Sequence, residues 1–164
     1  MTSTAKATSA DTQQIIDIDA QPGHYIRRLQ QIAVAIFLQE AEATGITPVQ
    51  YAVLQAISNQ PGIDQRSAAR TVGLDTSTVA GVIDRLEARG LLQRNASPHD
   101  RRVRLLQLTG DGRDLLVQVI PAMLRTQNRI LEPLSPEERG EFLRMLRKLV
   151  EANNELSRAP SGGG

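Results

Sequence analysis

Residues 84–108 constrain the fold more than any other segment, because a helix end, a hairpin and a cluster of arginines follow one another there without a gap. The apolar spacing before Gly90 predicts an amphipathic helix, and the glycine stands where such a helix ends in a left-handed conformation. Two strand-length segments follow, residues 91–94 and 103–108, joined by a polar loop over residues 95–102. We therefore predict a helix followed directly by a β-hairpin.

Positive charge is concentrated in this segment. Residues 85–104 contain six arginines and two acids, a local charge of six minus two, or +4, in a chain whose formal net charge is +1. Nucleic-acid phosphates are neutralised by such local arginine density, so a basic hairpin behind a helix favours double-stranded DNA over a metabolite as the partner.

Composition narrows the classes of function. The 164 residues, 40% hydrophobic, suit one domain with a substantial core. Without cysteine there are no disulfides, thiolate metal sites or cysteine redox sensors, and His24 and His99 offer little for a zinc or catalytic site. No segment approaches the roughly 18 apolar residues of a membrane helix, and the N-terminus lacks the apolar centre of a secretion signal. We expect a cytoplasmic protein with no metal, no cofactor and no enzymatic activity.

Helix signals recur along the rest of the chain. From Tyr25, apolar residues at spacings of three and four predict a first helix that ends near Gly45. Five further helical segments are each preceded by a polar residue that can cap them, namely Thr47, Asp64, Asp75, Thr109 and Ser135. Pro121 is expected to kink the helix after Thr109, because proline removes a backbone donor.

The two helices that follow Asp64 and Asp75 meet at a tight turn that contains Gly73. A short helix, a glycine turn and a second helix are what a helix-turn-helix requires. Together with the hairpin they predict a mainly α fold with a small β-hairpin, a winged helix-turn-helix with N- and C-terminal helices around it.

The chain is predicted to divide into a DNA-binding module, residues 61–108, and a helical dimerisation region, residues 22–60 and 109–157. The terminal helices would leave apolar stripes exposed on a monomer, so we expect a homodimer. Residues 1–20 are interpreted as a mobile arm with a brief apolar patch around Ile15 and Ile16, and residues 158–164 as a flexible tail.

The run V-I-D-R-L-E-A-R-G-L-L-Q-R, followed by S-P-H-D-R-R and then L-T-G-D-G, resembles the MarR family of bacterial transcriptional regulators. By helix order the resemblance extends over residues 22–156, and it is strongest over residues 74–116. It implies a homodimer with interlocked terminal helices, two winged helices that read a near-palindrome, and DNA affinity lowered by a small, often aromatic, acid.

The start of the fourth helix presents short side chains that could approach base edges in the major groove, those of Thr76, Ser77, Thr78 and Gly81. The alternative is that Thr76 and Thr78 merely cap the helix. Arg85 could reach a phosphate or a base, or could pair with Asp84 or Glu87 on a solvated face.

In the wing, Asp100 and Arg102 are two residues apart, which on an extended backbone lets the carboxylate hold the guanidinium in a fixed direction. This matches the Asp-x-Arg wing pattern of the family, so the resemblance implies that Arg102 enters the minor groove, with Arg101 as a neighbouring contact and Asp100 as the orienter. The alternative is a surface charge cluster without a ligand. Arg94 and Arg104 face phosphates or pair with acids, and the sequence does not choose.

An effector pocket beside the first two helices is implied by the resemblance. His24, Tyr25, Arg28 and Tyr51 combine ring faces, hydroxyls and positive charge, with Arg27 as an alternative cation, which suits an aromatic acid. The competing interpretation is that both tyrosines are dimer-core residues and the arginines bond acids of the partner chain.

These observations favour a ligand-responsive DNA-binding regulator, a homodimeric repressor of a catabolic or efflux operon released by a small aromatic or heteroaromatic carboxylic acid. A winged-helix module that binds a protein without a small-molecule effector is the alternative, and the six-to-two charge bias argues against it. A small hydrolase would need a convergent nucleophile, base and orienter, and neither histidine has an evident partner in sequence.

Overall fold

The computed structural model describes residues 17–156, which form six α-helices, a two-stranded hairpin and three short 3-10 turns. The elements are α1 (Pro22–Glu40), α2 (Pro48–Asn59), α3 (Gln65–Val72), α4 (Thr76–Ala88), β1 (Leu92–Ala96), β2 (Arg104–Leu108), α5 (Gly110–Leu131) and α6 (Pro136–Asn153). The predicted mainly α fold with a small hairpin is confirmed. Ile15, Ile16 and the tail over residues 158–164 lie outside the described residues.

All five predicted caps form. Each capping side chain accepts a hydrogen bond from the backbone N–H three residues further on, and the caps are Thr47, Asp64, Asp75, Thr109 and Ser135. Thr47 and Ser135 belong to complete capping boxes, in which the side chains of Gln50 and Glu138 accept a hydrogen bond from the backbone N–H of the cap residue. A cap of this kind stabilises a helix by about 1 kcal/mol, so helix starts are encoded locally.

The first helix differs from its prediction at both ends. It begins at Pro22, before Tyr25, and it ends at Glu40, short of Gly45. A 3-10 turn over Glu42–Thr44 tightens the chain, and only then does Gly45 take the left-handed conformation, with φ of 61°. The glycine therefore ends the 3-10 turn and not the helix. In α5 the helix continues through Pro121.

One continuous core joins the helix-turn-helix, the hairpin and the long helix. The largest fully buried side chains come from α1, α2, α4, both strands and α5, among them Phe37, Leu54, Ile57, Ile83, Leu86, Leu92, Leu106 and Val119. Gly73, with φ of 72°, ends α3 and lets α4 turn back onto this core. Burial of the α4 face fixes which side of that helix remains exposed.

The hairpin pairs Leu92 with Leu108 at its base and Ala96 with Arg104 at its outer end. Compared with the predicted segments, β1 extends two residues further toward the tip of the hairpin, and β2 begins one residue later. A short segment before α3 also pairs with β2: the Gly62 N–H donates to the Leu106 carbonyl and the Leu106 N–H to the Ile63 carbonyl, each at 2.9 Å. Because only two backbone hydrogen bonds form here, the segment is too short to show the alternating apolar pattern by which a strand is recognised in sequence.

The turn after α4 is held against the start of α5. The Thr109 hydroxyl donates to the Gly90 carbonyl at 2.6 Å, and the Thr109 N–H donates to the Leu91 carbonyl at 3.2 Å. Gly112 lies so close that a Cβ atom there would be 1.8 Å from the Leu91 oxygen. We call these contacts the α4–α5 joint. It connects α4 directly to α5.

No helix within residues 17–156 is long and apolar enough to cross a membrane.

Replacing Gly112 with Ala is expected to destabilise the fold by about 1–3 kcal/mol, because the new methyl group forces the joint apart. In an unstrained helix the same change would stabilise by up to about 1 kcal/mol. Gly140→Ala is the matched control, since that helical glycine has nothing within 4 Å of its ideal Cβ. Thermal unfolding should show a lower Tm for Gly112→Ala alone, and equal Tm values for the two variants would contradict the close contact.

Candidate nucleic-acid interface

The exposed face of α4 carries the side chains expected to read DNA. Thr76, Ser77 and Thr78 are exposed at the start of the helix, while Val79, Val82, Ile83 and Leu86 point into the core. Because buried positions fix the helix orientation, the first turn of α4 projects its hydroxyl groups away from the protein. This is the geometry that a recognition helix needs.

Thr78 has a second role. Its backbone N–H donates to Asp75 Oδ1 at 2.8 Å, and its hydroxyl donates to Asp75 Oδ2 at 2.7 Å. Thr78 therefore takes part in the cap, as its alternative interpretation holds, although its hydroxyl oxygen can still accept a hydrogen bond. The side chains of Thr76 and Ser77 make no hydrogen bond to any of residues 17–156.

Arg85 lies one turn beyond Gly81, and its guanidinium folds back over the glycine. An ideal Cβ on Gly81 would lie 3.8 Å from one terminal nitrogen of Arg85 and 4.0 Å from the other. The predicted alternative, an ion pair of Arg85 with Asp84 or Glu87, does not form in the described structure, because both carboxylates bind Arg94 instead. Arg85 remains an exposed cation on the same side of α4 as Ser77, two turns earlier.

The wing loop is an ordered turn. The Val103 N–H donates to the Asp100 carbonyl at 3.0 Å, and the Ser97 N–H donates to the Val103 carbonyl at 2.9 Å. Ser97 is nearly buried and accepts from the His99 N–H at 3.2 Å. Arg101 and Arg102 occupy the two central positions of the turn. The loop therefore presents both arginines at its outermost point.

The expected guanidinium contact of Asp100 is corrected by the structure. Asp100 Oδ1 accepts from the backbone N–H of Arg102 at 2.9 Å and not from its guanidinium. The prediction assumed an extended backbone, whereas the chain turns at these residues, which brings the amide of Arg102 closest to the carboxylate. Asp100 thus fixes the shape of the turn. It does not hold the Arg102 guanidinium, whose direction is set only by the backbone at Arg102.

Two of the six clustered arginines are used within the protein. Arg94 on β1 binds Asp84 at 2.9 Å and Glu87 through Nε at 2.9 Å and through a second nitrogen. Its hydrogen bonds lower the pKa of the Glu87 carboxyl, and Glu87 in turn raises the pKa of Arg94. Arg89 donates to the Gly45 carbonyl at 3.2 Å.

The other four arginines of the cluster, Arg85, Arg101, Arg102 and Arg104, are exposed and form no ion pair with residues 17–156. The sequence did not decide whether Arg94 and Arg104 face phosphates or pair with acids. In the structure Arg94 pairs with acids, whereas Arg104 is exposed. The sequence signal that could have identified Arg94 as the paired arginine is the presence of Asp84 and Glu87 on α4. These acids are three residues apart and therefore lie on one face of the helix, beside β1.

The predicted effector residues fall into two groups. His24 and Tyr25 make an edge-to-face ring contact at 5.4 Å between centroids, and Tyr25 and Arg28 line an open groove of about 590 Å³ between α1 and α6. The remaining lining is apolar and includes Phe142 and Leu149.

Tyr51 lies elsewhere. Its ring packs 6.0 Å from that of Phe37, its hydroxyl donates to Gln55 at 3.3 Å, and burial raises its pKa. Phe37 is twelve residues after Tyr25 on the same helix, about 18 Å of helical rise. The four residues therefore do not meet in one protomer around a small acid, a constraint that spacing along the chain did not reveal.

No group of three or more His, Cys, Asp or Glu side chains capable of holding a metal ion occurs in the described part of the chain.

The chain is similar in sequence to known transcriptional regulators. The model of the MarR family matches residues 44–103. A putative transcriptional regulatory protein for the hcr operon of Thauera aromatica is 31% identical over 153 residues, which cover 92% of this chain and 92% of the relative. The transcriptional repressor NicR of Pseudomonas putida is 31% identical over 137 residues, covering 84% of this chain and 87% of NicR.

Solved structures of transcriptional regulators have a similar fold. BpsR of Bordetella bronchiseptica, whose DNA binding is regulated by 6-hydroxynicotinic acid, superposes with a TM-score of 0.79 at 36% identity, over 82% of this chain and 96% of BpsR. The repressor CouR, bound to a 23-mer DNA duplex, gives a TM-score of 0.77 at 31% identity, over 81% of this chain and 94% of CouR. Together with the winged helix-turn-helix described above, these matches show that the chain belongs to the MarR family of transcriptional regulators.

Proposed function

We propose that this regulator is a homodimeric repressor that binds a near-palindromic operator and releases it when a small aromatic or heteroaromatic carboxylic acid binds. The observation that carries the proposal is that α4 and the wing tip together expose Arg85, Arg101, Arg102 and Arg104 without an ion pair to residues 17–156. Such unpaired guanidinium groups are free to neutralise phosphates. In this proposal the protein acts in the cytoplasm, by binding DNA and not by catalysis.

In this proposal α4 enters the major groove. Thr76 and Ser77 contact base edges, Thr78 contributes its acceptor oxygen, and Gly81 allows close approach. Arg85, long enough to extend past Gly81, reaches a base or a phosphate. The DNA-bound structure of the similar repressor CouR supports a duplex as the target.

The wing lies along the neighbouring minor groove. Arg102 enters the groove, Arg101 and Arg104 contact its walls or the phosphates, and Asp100 holds the turn that presents them. A narrow minor groove has an enhanced negative potential, which attracts an inserted guanidinium.

The helices outside residues 61–108 form the dimer in this proposal. Within the described protomer α6 has no buried residue, and apolar side chains remain exposed on α1, α5 and α6, among them Ile26, Ile32, Val117, Leu124, Leu149 and Val150. Apolar surface on three helices of one protomer favours burial against a second copy. The dimer would then set the distance between the two recognition helices.

For the effector we propose that His24, Tyr25 and Arg28 bind the acid at the groove between α1 and α6. Arg28 offers a cation for the carboxylate and Tyr25 a ring face, within an otherwise apolar lining. Tyr51 can join the same site only if the partner protomer brings the start of its α1 near this tyrosine, given the helical distance between Tyr25 and Phe37. The nicotinate-type ligand of BpsR supports the class of acid.

Arg102→Ala is expected to weaken operator binding by about 1–3 kcal/mol for each protomer and to reduce the dependence of affinity on salt by roughly one phosphate contact for each protomer. A duplex selected from a random library by the parent protein would be titrated at several salt concentrations. Arg147→Ala, which removes an exposed arginine of α6, is the charge-matched control once size-exclusion chromatography has shown that it remains dimeric. Affinity of Arg102→Ala equal to that of the parent would refute the wing assignment.

Ser77→Ala is expected to change base preference more than total affinity, because loss of a base contact costs about 1–3 kcal/mol of discrimination at one position. Selection from the same library, followed by sequencing, measures the preference. Ser58→Ala, at an exposed serine of α2, should retain the parent preference. Identical preferences for Ser77→Ala and the parent would remove Ser77 from the readers.

Addition of 6-hydroxynicotinic acid should raise the Tm of the parent, since a ligand at about 100 times its Kd stabilises the bound fold by about 2.7 kcal/mol. The shift should disappear when His24 and Tyr25 are both replaced by Ala. Tyr51→Phe then tests whether the tyrosine of α2 belongs to the site. A full shift in the His24 and Tyr25 double variant would place the pocket elsewhere.

A further inference from the structure

Arg94 connects the wing to the recognition helix through three of its nitrogen atoms. Its Nε donates to Glu87 at 2.9 Å, one terminal nitrogen contacts the same carboxylate, and the other lies 2.9 Å from Asp84. The backbone N–H of Arg94 also donates to Glu87, at 3.2 Å. Both the side chain and the main chain of β1 are therefore tied to α4.

This contact lies between the buried base of the hairpin and its exposed tip. Leu92 and Leu106 are buried, whereas Asn95, Ala96 and Arg104 are exposed. Arg94 pairs with Leu106 across the hairpin, so fixing Arg94 fixes both strands at that level. Beyond Arg94, the hydrogen bonds that residues 95–104 form with the described part of the chain stay inside the hairpin.

We propose that Arg94 is a positioning residue, which holds the wing at a set angle to α4 so that Arg102 and the exposed face of α4 meet DNA at a fixed separation. The proposal rests on the DNA binding proposed above. If the wing and α4 form one rigid body, both can contact DNA without a further loss of conformational entropy. A wing that moves freely relative to α4 must lose that conformational freedom when it binds the duplex.

The fork of the guanidinium matters for this role. Its planar set of donors spans two carboxylates at once, while a lysine offers a single ammonium group. The side chains of Arg94, Glu87 and Asp84 are 30%, 35% and 61% exposed, so the ion pairs are partly screened and contribute little to global stability. Loss of Arg94 should therefore affect DNA binding more than folding.

A double-mutant cycle tests the coupling between Arg94 and Arg102. In the parent, Arg102→Ala should weaken binding to the selected operator roughly tenfold or more. In the Arg94→Gln background the same change should weaken it by less than about threefold, because a loose wing already contributes little. Arg70→Gln, which removes an equal charge from an exposed position of α3, should leave the effect of Arg102→Ala at its parent value.

Arg94→Lys separates positioning from charge. Lysine keeps the positive charge near Asp84 and Glu87 but lacks the planar guanidinium that spans both carboxylates. The loss of DNA affinity caused by Arg102→Ala should therefore again be smaller than in the parent. If Arg94→Lys preserves the full effect while Arg94→Gln does not, Arg94 acts by neutralising the acids and the positioning role is overturned. An unchanged effect in both backgrounds overturns it as well.

Wing mobility supplies a readout that does not depend on DNA. The chain contains no cysteine, so nitroxide labels can be attached specifically at Ala88→Cys on α4 and His99→Cys on the wing, with excess unlabelled protein to isolate one protomer. The distance distribution should be narrow in the otherwise unchanged chain and broad with Arg94→Gln. Equal widths refute the proposal.

Two further outcomes have defined meanings. If Arg94→Gln does not fold, Glu87→Ala replaces it, since it removes the carboxylate that receives most of the Arg94 bonds. If the parent shows no DNA binding, the proposed function and the role of Arg94 both fail. If the parent binds and only the coupling is absent, the role of Arg94 fails alone.

Discussion

The close approach of Gly112 to the Leu91 carbonyl is the contact on which the rest of the arrangement depends. It brings the first turn of α5 against the end of α4, and Thr109 adds two hydrogen bonds to the same turn. Because α4 carries the exposed recognition face and α5 runs on into the helices with unburied apolar stripes, one contact fixes the orientation of the DNA module relative to the proposed dimer surface. Through these contacts α4 and α5 are joined without an intervening element.

The distribution of charge follows from how the hairpin packs. Of the six clustered arginines, Arg89 and Arg94 satisfy groups within the protein, and the remaining four stay exposed. The positive surface is thus smaller than the sequence count indicates, but it is confined to α4 and the wing. Arg94 binds Asp84 and Glu87, so its charge is used inside the protein, between the hairpin and α4.

Much of the fold was predictable because its signals are local. A cap such as Asp75 forms with the backbone three residues away, and the apolar spacing of Val79, Val82 and Ile83 defines the buried face of α4. The structure adds to or departs from the sequence predictions where distant or competing contacts decide. The chain tightens into a 3-10 turn before Gly45, the Asp100 carboxylate binds an amide instead of a guanidinium, and Tyr51 packs on Phe37 away from Tyr25.

The sequence alone determined the order of the helices, the glycine turn between α3 and α4, the hairpin and the basic character of the segment, since each depends on residues within a few positions of one another. Only the tertiary structure decided which arginines are free, that Gly112 must lack a side chain, and that the tyrosines are separated. These properties depend on atoms far apart in the chain: Leu91 and Gly112 are 21 positions apart. Contacts of that kind form only when burial of the shared core brings the segments together.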